Sequence, residues 1–178
     1  YVNLFEKKIS KYTGSKYAIS CVSGTAALHL ALRIVGVKEN DEVIVPTMTF
    51  IATANSVKYL NAFPVFMDCD DYYNLDVKKT IFFIKNSTFS KNNYSYNKKT
   101  KKRISVLIAV HVYGNAVDII SLILGKGYLF LLLCFFLFHK HSPIMVISDK
   151  ESIIGIQCSR LSFIPTREIP LILILGNL

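Results

Sequence analysis

The residues best placed to do chemistry are Ser23, Gly24 and Thr25, at the junction between a short apolar run and a helix-like one. A tight turn that feeds a helix N-terminus aims several backbone N–H groups at one spot, where the helix dipole also favours negative charge. Gly24 allows the backbone to approach closely, the Thr25 hydroxyl adds a donor, and the Ala26 amide follows in the same turn. That chemistry is anion binding, and phosphate is the natural anion. The same tripeptide also works as an ordinary helix cap, and taken alone it is read as one. No P-loop, GxGxxG, HExxH or GxSxG signature competes with it. His139 and His141 are close in sequence, but no motif supplies a third ligand, so no metal site is expected. Cys21, Cys69, Cys134 and Cys158 are widely separated without a CxxC pair. This argues against zinc or a disulfide framework and suits a reducing cytoplasm.

The elements that must position this turn follow from hydrophobic spacing. Leu4, Phe5, Ile9 and Tyr12 predict a first helix over residues 2–12, closed by Thr13-Gly14. Tyr17 to Val22 predicts a strand. Ala26 to Val35 predicts a helix with Leu28, Ala31, Leu32 and Val35 on one face, and Gly36 as its stop. Val43 to Val45 predicts a buried strand ended by Pro46. Thr47 to Thr49 are expected to cap a helix reaching about Leu60, and Pro64 to Met67 and Ile104 to Val110 predict two more strands. Apolar strands alternating with helices indicate an α/β fold: a parallel or mixed sheet with helices on both faces.

Charge and hydropathy are both uneven. The net charge of +9 comes from one stretch between Val77 and Val117, which holds Lys78, Lys79, Lys85, Lys91, Lys98, Lys99, Lys101, Lys102 and Arg103 and no acid. Asn92, Asn93, Ser95 and Asn97 are interleaved there, and a solvated surface loop is expected. No ordered aromatic platform or zinc spacing accompanies the lysines, so nucleic acid is not expected as a partner. Hydrophobic residues make up 52% of the chain and concentrate in residues 119–138, where Lys126 is the only charge. A membrane helix needs about 20 apolar residues, but Gly125, Lys126 and Gly127 split this run, so a spanning segment is the lesser reading. The polar N-terminus lacks the apolar core of an export signal. Because it begins at Tyr1 rather than Met, a few upstream residues are expected to be missing.

The stretch Tyr12-Thr13-Gly14-Ser15-Lys16-Tyr17-Ala18, and then Ser23-Gly24-Thr25-Ala26-Ala27-Leu28-His29-Leu30-Ala31-Leu32, resembles DegT-type sugar aminotransferases. The resemblance continues in order through residues 41–55 (DEVIVPTMTFIATAN), 62–68 (AFPVFMD) and 111–115 (HVYGN). It implies an aspartate-aminotransferase-like (type I) large domain, here incomplete, with pyridoxal 5′-phosphate (PLP) at the C-terminal ends of the strands. It also implies a nucleotide-sugar substrate, an amino-acid donor, a cytoplasmic setting and a homodimer. By resemblance Gly24, Thr25 and Ala26 would hold the cofactor phosphate, and Phe50 would stack on the pyridine ring; a plain core aromatic is the alternative for Phe50. His111 could serve the pocket or be a structural histidine. Residues 96–105 more loosely resemble the branch acting on UDP-linked amino-deoxy sugars of the legionaminic or bacillosamine type.

The resemblance stops at Asp118. PLP chemistry needs a lysine that links to the cofactor and a carboxylate that keeps the pyridine nitrogen protonated. The family carries the carboxylate in a Glu-Asp-Ala-Ala strand end, which this chain lacks. Residues 146–149 (VISD) and 162–167 (SFIPTR) are faint echoes, with Arg167 where the lysine belongs, and guanidinium cannot form the imine. No catalytic residue is therefore assigned. Residues 1–118 are expected to be the N-terminal part of the large domain. Residues 119–178 are expected to be a divergent apolar tail, frameshifted or degenerate, that does not extend the sheet. The rival expectation is a non-enzymatic remnant whose apolar tail associates with a membrane.

Overall fold

The computed structural model describes residues 1–13, 17–113, 115–125, 130–136, 144–147, 153–155 and 172–175. Helix α1 (Val2–Thr13) leads to strand β1 (Tyr17–Ser20), and helix α2 (Gly24–Ile34) follows the turn at Ser23. Val35 and Gly36 end α2 as expected. Gly36 has φ +84°, and the Val37 and Gly36 amides donate back to Leu32 and Arg33 carbonyls at 3.1 and 3.2 Å. That is a Schellman stop, which glycine enters without a Cβ penalty. Next come β2 (Glu42–Pro46), α3 (Ile51–Lys58) and β3 (Phe63–Met67). The cap of α3 differs from expectation: Phe50, not a threonine, occupies the N-cap and makes no side-chain capping bond. Thr49 instead pairs its hydroxyl with that of Thr53 at 2.9 Å.

The basic stretch is ordered rather than a loop. Residues 77–103 build α4 (Val77–Ser87), the hairpin strands β4 (Thr88–Lys91) and β5 (Tyr94–Asn97), and the entry to β6 (Arg103–Val112). Asp76 caps α4 by accepting the Lys79 amide at 2.9 Å. Asn92 and Asn93 both take positive φ, 51° and 62°, which is the two-residue hairpin turn that Asn tolerates.

The main sheet runs β3-β2-β6 and then continues through β7 (Phe130–Phe136), β8 (Ile144–Ile147) and β9 (Ile153–Gly155). The β3–β2, β2–β6 and β6–β7 pairs are parallel, whereas β7–β8 and β8–β9 are antiparallel, and β5 also pairs antiparallel with the start of β6. A separate parallel pair joins β1 to β10 (Ile172–Leu175). Pro64 lies on edge strand β3, where its missing amide costs no ladder bond. Contrary to expectation the sheet does continue past Asp118: Val106 to Val112 of β6 face Phe130 to Phe136 of β7 in unbroken register. An unbroken apolar run suits a buried parallel strand whatever its origin. Among the described residues, no helix is long and apolar enough to cross a membrane.

Two cores cover the two faces. Val43 and Val45 of β2 and Val106, Ile108 and Val110 of β6 pack with Ala27, Leu28, Ala31 and Leu32 of α2. On the other face Ile44, Ile104, Leu107 and Ala109 pack with Ile84 of α4 and Leu122 of α5 (Ile119–Gly125). Ile104 and Val106 lie on opposite faces although two residues apart. The register shift between Glu42 and Val43 makes Ser105 a bulge, and one extra residue flips the side chains that follow.

Both ends of β6 are pinned by buried polar groups. At its start, Arg103 forms two hydrogen bonds to the Asp41 carboxylate, with Nε–Oδ1 at 2.9 Å, and donates to the Gly36 carbonyl at 2.8 Å. Glu42 is 4% exposed and accepts from Asn97 Nδ2 at 2.9 Å and Thr100 Oγ1 at 2.7 Å. At its far end, the Val112 amide donates to Asn74 Oδ1 at 3.0 Å, and the Val117 amide donates to His111 Nδ1 at 2.9 Å. Burial pushes the His111 imidazole down to about 4 from an ordinary 6.5, with a backbone hydrogen bond at Asn115 opposing the shift.

Two outcomes follow. Asp41→Ala strands the Arg103 charge in a mostly buried place and should cost about 3 kcal/mol, read as a lowered urea midpoint with unchanged m-value. For His111 the folded pKa lies below the unfolded one, so its contribution is complete above pH 6.5 and is lost as pH falls toward 4. The loss should reach about 3 kcal/mol at most. His111→Gln, which keeps an acceptor for Val117, should show a flatter stability profile across that window in urea melts. Parallel profiles for the two proteins would rule out His111 as the source.

Candidate functional site

Helix α2 is oriented by its C-terminal end. Gly36, just past it, is tied to Arg103 at the N-terminal start of β6. Its eleven residues rise about 16 Å along the sheet, so Ser23, Gly24 and Thr25 point toward the C-terminal edge of the parallel strands. Ser23 is extended (φ −159°, ψ 162°), and its hydroxyl accepts from the Ala26 amide at 3.2 Å. The first intrahelical bond runs from the Ala27 amide to the Ser23 carbonyl at 3.0 Å. The Gly24 and Thr25 amides precede that ladder and face outward from the helix end.

Nothing in the fold itself demands glycine at 24. Its backbone is not left-handed, and a Cβ placed there would meet no atom within 4 Å. The open space before the first turn is room that a tetrahedral anion could fill. The phosphate end of PLP therefore fits this chain: two unladdered amides, the Thr25 hydroxyl and a third amide, Ala26, now held by Ser23.

Strand β2 is the switch strand of the sheet. The chain leaves it to β3 on one side and returns to β6 on the other, and crevices form outside the C-terminal ends at such points. Phe50 lies in the segment that leaves β2 there, 57% exposed. That exposure is not that of a core aromatic. His111, by contrast, is 1% exposed and holds the Val117 amide, so it is a structural histidine. Asn74 went unrecognised in the sequence. It is buried, accepts the Val112 amide, and so fixes where β6 ends at the crevice. Its signal was the Asp70-x-x-x-Asn74 spacing, in which Asp70 Oδ1 accepts the Tyr72 and Asn74 amides at 2.9 Å.

Cys21 is partly buried, and burial, followed by the nearby Glu6 carboxylate, raises its thiol pKa, so it is no activated nucleophile. Among the described residues, no cluster of His, Cys, Asp or Glu could hold a metal ion. His139, His141, Ser148, Asp149 and residues 162–167 lie outside the described residues. Strand β7, which follows β6 in the parallel sheet, reads FLLLCFF and contains neither a carboxylate nor a lysine. The residues present thus fit the phosphate end of the cofactor, and none is assigned to its ring nitrogen or its covalent link.

Comparison with known proteins bears on the family and the fold. The GDP-perosamine synthase of Caulobacter vibrioides is 42% identical over 115 residues, which is 64% of this chain and 27% of that protein. The crystal structure of a DegT DnrJ EryC1 StrS aminotransferase from Brucella abortus superposes with a TM-score of 0.63 at 25% identity, covering 84% of this chain and 46% of that one. The PLP form of Spr1654 from Streptococcus pneumoniae superposes with a TM-score of 0.54 at 26% identity, covering 78% and 31%. The chain thus spans under a third of the length of the curated relatives it matches. The family model for DegT/DnrJ/EryC1/StrS aminotransferases matches residues 1–123, five residues past the point where the motifs stop, and this chain belongs to that family.

Proposed function

We propose that residues 1–118 are the phosphate-holding part of a PLP-dependent aminotransferase for a nucleotide-linked keto-sugar, with an amino acid as donor, and that this chain alone does not transfer the amino group. The observation that carries the reading is the open first turn of α2, aimed at the C-terminal edge where Phe50 also lies. Bound PLP would supply the electron sink for the transfer. The chain's own residues would do the holding. The Gly24, Thr25 and Ala26 amides and the Thr25 hydroxyl would hold the phosphate, and the Phe50 ring would stack on the pyridine.

The inactivity rests on the residues after Asp118. Residues 119–178 contain no Glu-Asp-Ala-Ala strand end and no lysine behind a Ser-Phe pair; Arg167 stands at that place. The division at 118 belongs to the same proposal: the motifs lie before it, and after it come apolar residues that can form strands but carry none of the family's chemistry.

A cradle without the covalent link or the ring's carboxylate should bind PLP no tighter than about millimolar, roughly 4 kcal/mol. Amide shifts at residues 24–27, followed by NMR during titration with PLP and with inorganic phosphate, read this directly. Thr25→Val should abolish the shifts, and Phe50→Ala should weaken PLP more than phosphate. If neither ligand moves those amides, the turn is a helix cap and the reading fails.

A further inference from the structure

The solvent face of the β4–β5 hairpin has no role in the phosphate cradle. Strand alternation puts Phe89 and Lys91 of β4 and Tyr94 and Tyr96 of β5 on one face, with Phe89 opposite Tyr96 and Lys91 opposite Tyr94. Thr88, Ser95 and Asn97 are buried on the other face. The Phe89 and Tyr96 rings stack at 5.6 Å between centroids and 23° between planes. Phe89 and Tyr94 remain 37% and 46% exposed. Lys101 Nζ lies 5.6 Å from the Phe89 centroid, and Lys102 Nζ lies 3.2 Å from the Phe63 centroid. Among the described residues, Lys91, Lys98, Lys99, Lys101 and Lys102 have no carboxylate partner; the acids nearest this turn are already held, Asp41 by Arg103 and Glu42 by Asn97 and Thr100.

We propose that this face binds single-stranded nucleic acid, with bases stacking on the Phe89 and Tyr96 rings and on the side of Tyr94 away from Arg103, and phosphates meeting Lys91 and Lys101. Folding supplies the aromatic platform that linear order conceals, because residues 89, 94 and 96 become one row only when the hairpin closes. Single-strand binders combine these two elements, a cationic track and flat rings that accept any base. An exposed lysine over a ring is a weak contact, so Lys101 can exchange Phe89 for a phosphate as a base arrives. Charge alone would select any polyanion; the stacked rings select one that carries planar groups.

The test uses the full chain and fluorescence anisotropy with labelled oligo(dT), with heparin and phosphatidylserine vesicles as ringless anionic probes. Oligo(dT) should bind with affinity that falls steeply as salt rises. Phe89→Leu and Tyr96→Leu keep apolar volume on the hairpin, and each should weaken oligo(dT) about tenfold while changing heparin little. Lys91→Gln should weaken both and flatten the salt dependence. Melting curves matching the parent establish that each variant is folded, and ultraviolet crosslinking of bound oligo(dT) to the parent chain should map to residues 89–96. Absence of oligo(dT) binding, equal losses for oligo(dT) and heparin, crosslinks elsewhere, or preference for the vesicles would each overturn the proposal.

Discussion

Two adjacent carboxylates, Asp41 and Glu42, are buried at the start of β2, and the arrangement of the rest follows from satisfying them. A buried carboxylate without partners is untenable, so every group that meets these two is fixed in place. Asp41 takes the Lys38 amide and the Arg103 guanidinium, and Arg103 in turn holds the Gly36 carbonyl. Glu42 takes Asn97 and Thr100. Four elements are thereby tied at one edge of the sheet: the end of α2, the start of β2, the hairpin and the start of β6. Because α2 is anchored there by its C-terminal end, its N-terminal turn is carried to the opposite edge. The geometry of the cradle is thus set from the far side of the domain by residues that never approach a phosphate.

Most of the α/β pattern before residue 70 was readable in the sequence, because its strands are apolar runs and its helices have one apolar face. Val43 to Val45 and Leu28, Ala31 and Leu32 are such cases, and the Gly36 stop is a local property of one residue. Residues 77–103 were not readable in the same way. There the lysines sit on α4, at the hairpin end and in the turn after β5, so composition suggested a solvated loop. The organising contacts are long-range: Glu42 to Asn97 and Asp41 to Arg103 span 55 and 62 residues. The local signals, Asp76 as a cap and Asn92-Asn93 as a tight turn, were outweighed by charge. At the site, the Ser23-Gly24-Thr25 turn was readable as the start of a helix because that position depends only on the elements beside it. Asn74 was not, since its partner Val112 lies 38 residues away.

The continuation of the sheet through β7 shows how little a parallel edge asks of the strand that joins it. Strand β6 presents a full ladder of backbone groups and two apolar faces, and a run such as FLLLCFF matches both by hydropathy alone. A strand can therefore take its neighbour's register without bringing the polar residues at its C-terminal end that a PLP enzyme needs. Membership of the sheet is thus no evidence by itself about catalysis.

On the proposed reading, the capped and anion-holding forms of the Ser23 turn would be two states of one structure. In the capped state Ser23 Oγ accepts from the Ala26 amide at 3.2 Å, a neutral and rather long bond at an exposed place. A phosphate oxygen would make a shorter, charge-assisted bond to the same amide. The displaced hydroxyl could then turn and donate to the anion, since a serine is both donor and acceptor. The helix end loses no partner in the exchange, so the cap adds little resistance to anion entry. What it cannot supply is residence. Phosphate at a solvent-facing helix end competes with water for every donor, and the enzymes of this family add a covalent link and a charged partner at the ring end. On the proposed reading, discrimination between PLP and any other small phosphate would fall to the Phe50 ring.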